Sequence, residues 1–143
     1  MLVFILFIAV LFTAILCLRG SAGRKIPVQF NGQPYLPKSC VIAGCAKNVA
    51  SELPKTLKVF ESVGKLFARI NFVIFENDST DSTKDLLREF ASGRDAQIIN
   101  GDGVGNRRSR EETLTIARNA CLEAARALRP EFYVVLDMDN VNH

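Results

Sequence analysis

Asp137 and Asp139 close the apolar run Tyr133-Val134-Val135-Leu136. Side chains alternate along a strand, so carboxylates two residues apart leave its carboxyl end on one face. Paired hard oxygen ligands at a strand tip suit Mg²⁺ or Mn²⁺, and such an ion neutralises the phosphates of a nucleotide. Similar polar residues follow every earlier apolar run. Lys47 and Asn48 come after residues 40–45 (CVIAGC), Glu76, Asn77 and Asp78 after residues 71–75 (NFVIF), and Asp102 in the glycine-rich loop after residues 96–99 (AQII). Each alone reads equally well as a polar turn residue. Together, so many carboxylates on one edge repel one another unless a cation or hydrogen-bond donors compensate.

The elements between these runs explain how they would converge. Short apolar runs alternate with amphipathic stretches, the pattern of a parallel α/β sheet. One helix is expected after Ser51 as its cap, burying Leu53, Leu57, Phe60, Val63 and Phe67 at spacings of three and four. A second opens in Ser79-Thr80-Asp81-Ser82-Thr83, runs through Leu86, Leu87 and Phe90, and closes at Gly93. A third covers 110–128 with Leu114, Ala117, Cys121, Ala124 and Leu128 on one face, and Pro130 ends it. Four strands with three intervening helices place the strand carboxyl ends on one edge, where open α/β sheets bind ligands.

The start of the chain has a different character. Residues 2–18 carry no charge and one polar residue, Thr13, which is enough to span a hydrocarbon core of about 30 Å. The apolar run is long for a cleaved signal, so residues 1–18 read as a retained single-pass anchor. Arg19, Arg24 and Lys25 follow it and favour the cytoplasmic side for the remainder, though sidedness stays open. Asn77-Asp78-Ser79 is a glycosylation sequon whose glycan would block the strand edge, which points the same way. Residues 19–39 hold Pro27, Pro34, Pro37 and three glycines, a stalk leading to a domain at 40–143. The four cysteines form no C-x-x-C pair and there is one His, so neither a zinc site nor a disulfide framework is indicated. A net charge of +3 with no basic, aromatic-interleaved cluster argues against a nucleic-acid partner. Arg107, Arg108 and Arg110, the densest basic group, read as a solvated loop.

The motif order resembles the GT-A glycosyltransferases, in particular their large family-2-like, inverting group. The shared features are a first strand with a short polar loop (Val41 through Asn48), an acidic loop after the second strand (Phe75 through Thr83), a helix carrying Ala117-Arg118-Asn119, and Asp137-Met138-Asp139. The likeness covers residues 41–140 and departs from the pattern where Glu76-Asn77-Asp78 replaces an acidic pair followed by glycine. The likeness extends to the subset that includes capsule-associated mannosyltransferases, which would suggest a nucleotide-mannose donor. It implies a Rossmann-like nucleotide-binding half-domain behind a transmembrane helix. It also implies a nucleotide-diphosphate sugar donor, GDP-mannose or a UDP-sugar, and a glycan or lipid-linked acceptor. Asp137 and Asp139 would hold Mn²⁺ or Mg²⁺ at the diphosphate. Lys47, Asn48, Glu76, Asn77, Asp78, Asp102 and Arg118 would contact the donor. In this family the catalytic base and acceptor pocket follow the aspartate pair, so the base is expected beyond His143 and the chain, as a fragment, is expected to bind donor without turning it over.

Two other readings compete. Leu136 through Val141 also resembles the D-x-D-x-[TV] opening of haloacid-dehalogenase-like phosphatases, with Asp137 as phosphoryl acceptor and Asp139 as acid/base. That motif leaves residues 76–81 and 117–119 without a role. The other is a non-enzymatic, membrane-tethered interaction domain whose acidic loops are merely solvated.

Overall fold

The computed structural model describes residues 36–138, together with the backbone of Gln29–Phe30 (β1) and Gln33–Pro34 (β2), which pair antiparallel. The anchor read at 1–18, most of the stalk, Asp139 and His143 lie outside the described residues. Among the described residues no helix is long and apolar enough to cross a membrane.

The domain is an α/β fold built on a four-stranded, all-parallel sheet. Its strands are Leu36–Ala46 (β3), Phe67–Glu76 (β4), Ala96–Asn100 (β5) and Phe132–Val135 (β6), in the order β5-β4-β3-β6. The chain therefore builds outward from β3 through β4 to β5, then returns to place β6 on the other side of β3. That reversal is the Rossmann-like arrangement, and it opens a crevice between the carboxyl ends of β3 and β6. β3 is central, and Cys40, Val41, Ile42 and Ala43 are all buried, as a strand covered on both faces requires.

The helices divide between the faces by strand alternation. Leu53–Gly64 (α1) and Thr83–Ala91 (α2) pack Leu53, Phe60, Val63, Leu87 and Phe90 against Cys40, Ile42, Phe72 and Ile74. Arg110–Leu128 (α3) lays Ala117, Cys121 and Ala125 on Val41, Ala43, Val73 and Phe75. Small residues on α3 let it approach the sheet closely, which brings Cys121 Sγ within 3.8 Å of the Gly44 carbonyl.

Several boundaries differ from the sequence reading for local reasons. β3 and β4 each begin four residues before the expected 40 and 71. Phe67, which continues the helical spacing of α1, is instead the first residue of β4, because the helix has closed at Gly64 and β-forming residues follow. Ser51 does not cap α1. The cap position is Glu52, without a side-chain bond, and a proline in the first turn does the pre-organising. On α3 the stripe drifts by one residue, so Ala125 is buried while Leu128 is 46% exposed.

Two glycines are required by close approach. A Cβ on Gly44 would lie 2.7 Å from Met138 Cγ and 3.0 Å from the Leu136 carbonyl, where β6 runs into the crevice. A Cβ on Gly101 would lie 2.1 Å from the Phe75 ring, and the backbone N–H of Gly101 donates to the Glu76 carbonyl at 2.7 Å. Gly101→Ala is expected to lower unfolding free energy by about 1–3 kcal/mol, the usual range for overpacking, measured by urea denaturation. An unchanged midpoint would mean that the Phe75 ring moves aside freely.

Candidate functional site

Three loops leave the carboxyl edge of the sheet, and their own side chains tie them together. Asn48, in the left-handed region at φ 51°, lies in the loop after β3. Its N–H donates to Ser79 Oγ at 3.0 Å, and its Oδ1 accepts from the Thr80 N–H at 2.8 Å. The Val49 N–H donates to the buried Thr83 hydroxyl at 2.9 Å. Asp81 accepts from the Ala50 N–H at 3.1 Å and the Thr83 N–H at 3.0 Å. The loop after β3 is thus bolted to the start of α2.

The loop after β5 is fixed in the same manner. Asp78, also left-handed at φ 53°, accepts from the Gly103 N–H at 2.6 Å, the Gly105 N–H at 3.2 Å and Asn77 Nδ2 at 3.2 Å. In return the Asp78 N–H donates to Asp102 Oδ1 at 3.1 Å. Lys84 Nζ donates to both Asp102 oxygens, at 2.6 and 2.8 Å, and lies 3.7 Å from Glu76 Oε2. The buried Glu76 accepts from the Ser79 N–H at 2.9 Å. Backbone donors, led by Gly103, hold the Asp78 carboxyl below its ordinary range, and Lys84 does the same for Asp102. Asp81 is lowered chiefly by its bond with Thr83.

Beside this braced edge lies a cleft of about 700 Å³ between β3 and β6. Cys45, Lys47 and Asn48 form one wall and Val135 through Met138 the opposite one. Asn77 and Gly105 reach it from the middle loops. Arg110, Thr113, Leu114 and Arg118 present one stripe of α3 to it, and Arg108 stands just before that helix. Arg118 Nη2 lies 3.5 Å from Asp137 Oδ1, both side chains being about half exposed. The Cys45 thiol is held below its ordinary range by a hydrogen bond with Cys121, burial opposing and Arg118 assisting, while Cys121 is raised by that same contact and by burial.

Five of the residues singled out from sequence therefore line one cleft: Lys47, Asn48, Asn77, Arg118 and Asp137. Glu76, Asp78 and Asp102 stand behind it, in bonds that hold the loops. Asp139 lies outside the described residues. Arg108 and Arg110, read as a solvated loop, border the cleft. Their position directly after the glycine-rich loop at the same sheet edge was the available signal. Ser109 and Glu112 form a reciprocal capping box at 3.2 and 2.8 Å that starts α3 there, a signature readable in Ser109-Arg110-Glu111-Glu112.

Among the described residues no group of three or more His, Cys, Asp or Glu side chains gathers to hold a metal ion. Asp137 supplies one carboxylate to the cleft, which fits a cation that takes one or two protein oxygens and completes its shell with phosphates and water, as Mg²⁺ does. No family model, curated protein or solved structure matches the chain.

The lowered carboxyl groups set a pH dependence. A carboxylate whose pKa falls on folding stabilises the fold fully above its ordinary value of 3.8 and loses that contribution as pH drops through the lowered value. Amide exchange at Gly103, Gly105, Ala50 and Thr83, corrected for its intrinsic pH dependence, is expected to accelerate selectively as pH falls below about 4, measured by mass spectrometry after exchange at each pH. Uniform acceleration across the sheet would contradict this bracing role.

Proposed function

We propose that the chain carries the donor site of a GT-A-like glycosyltransferase, in which the β3/β6 cleft takes a nucleotide-diphosphate sugar. The observation that carries the reading is the meeting of Lys47, Asn77, Arg118 and Asp137, drawn from four separate segments, in one cleft at the reversal point of a parallel sheet. Structural turn residues have no need to share a cavity. The ordered motifs Asn77-Asp78-Ser79-Thr80-Asp81, Ala117-Arg118-Asn119 and Asp137-Met138-Asp139 support the same reading.

In this reading Asp137, with Asp139, holds Mn²⁺ or Mg²⁺, which when bound neutralises the charge that builds on the leaving nucleotide. Arg118 steers the Asp137 carboxylate and faces the phosphates. Lys47 draws the anionic donor into the cleft, and Asn48 and Asn77 offer amide groups to its hydroxyls or base. Glu76, Asp78 and Asp102 fix the loops against which the nucleoside lies. The apolar segment at 2–18 anchors the protein in a membrane, and the acceptor is a glycan or a lipid-linked sugar.

Isothermal titration of the full chain with GDP and UDP in the presence of Mn²⁺ tests the site. One of the two is expected to bind, and Asp137→Ala to weaken it by about tenfold or more, the scale of a lost charged contact. Binding of neither nucleotide, or binding unaltered by Asp137→Ala, would overturn the proposal. A phosphoryl group trapped on Asp137 would replace it with a phosphatase.

A further inference from the structure

The charge of the cleft is not what its acidic motifs suggest. Its lining includes four cationic side chains, Lys47, Arg108, Arg110 and Arg118, against one described carboxylate, Asp137. Of the other acids of this edge, Asp78 accepts from the loop N–H groups with the Lys47 ammonium near it, and Asp102 accepts from Lys84. We propose that Arg108 and Arg110, together with Lys47 and Arg118, form a phosphate clamp that holds a diphosphate without help from a divalent cation. The proposal rests on the donor reading only in taking that diphosphate to be part of a nucleotide.

The clamp has two sides of different origin. Lys47 projects from the end of β3, with its Nζ close against Gly105. A Cβ at Gly105 would crowd Asp78 Oδ2 at 2.9 Å and meet the Lys47 nitrogen at an ordinary 3.5 Å, which places that ammonium beside the glycine-rich loop. Facing it are the arginines before and along α3. Arg108 Nη1 donates to the Val104 carbonyl at 2.8 Å, which fixes its guanidinium at the mouth and leaves other donors of the five-donor fork for a ligand. Arg110 and Arg118 sit on one stripe of the same helix, roughly 12 Å apart along its axis by the rise of 1.5 Å per residue. Guanidinium groups match phosphate oxygens in pairs, and their charge is permanent. Opposed cations already present in the cleft meet the phosphate charge without a metal.

The full chain is titrated with inorganic pyrophosphate, GDP and UDP, in EDTA and in Mn²⁺. The expected result is binding that persists in EDTA and falls about tenfold or more in Arg108→Ala/Arg110→Ala. Binding seen only with Mn²⁺ and lost in Asp137→Asn would overturn the clamp and leave the donor site standing. Pyrophosphate bound in EDTA, with neither nucleotide binding better than it, would keep the clamp and remove the nucleotide-sugar reading. A double variant that binds like the original protein would also overturn the clamp. Should it lose its thermal transition, Arg110→Ala alone carries the test, with a loss of roughly threefold to tenfold expected.

Discussion

Carboxylates that bind backbone N–H groups hold this molecule's working edge together. Asp78 gathers the glycine-rich loop through Gly103 and Gly105, Asp81 gathers the loop after β3 through Ala50, and Glu76 turns the chain at Ser79. A charge-assisted bond to backbone is shorter and stronger than a neutral one, and those of Asp78 and Asp81 join loops that follow different strands. With the Asn48, Thr83 and Lys84 side-chain bonds they tie the three loops at the carboxyl edge to one another. The same bonds remove negative charge from the cavity. Among the described residues, the charged side chains lining the cleft are Lys47, Arg108, Arg110 and Arg118, with Asp137 as the carboxylate.

The sheet supplies the other half of the constraint. β3 is buried on both faces, and the return of the chain to its free side puts β6 there, with Leu136 donating its N–H to the Ala43 carbonyl at 2.9 Å. Gly44 admits Met138 into the core, and Met138 is buried beside an exposed Asp137. A buried anchor next to an exposed carboxylate fixes where that carboxylate stands. On the opposite face the small side chains of α3 bring the helix close enough to carry Arg118 to within reach of it.

Much of the architecture was legible because periodicity is a strong signal over long elements. The bounds of α3 follow from apolar spacing and the stop at Pro130, and the sequence of four strands and three helices from apolar spacing. Phe67 was misplaced because a spacing of four from Val63 fits a helix as well as the start of a strand. The site was legible in part. Residue types at strand ends marked Lys47, Asn77 and Asp137, and the family resemblance marked Arg118, but type does not reveal whether a carboxylate faces a cavity or its own backbone. Asp78 and Asp102 read as ligands for that reason. Arg108 and Arg110 were overlooked for the converse reason, since a basic loop has no distinguishing mark until the fold brings it to a cavity.

The central claim is that the β3/β6 cleft, and no other surface, takes a nucleoside diphosphate. Hydrogen exchange of the full chain with and without GDP or UDP tests it directly. Ligand is predicted to protect amides at residues 47–49, 103–106 and 136–138, and to leave β5 and α2 unchanged. Protection elsewhere, or none at concentrations that saturate binding, would contradict the account.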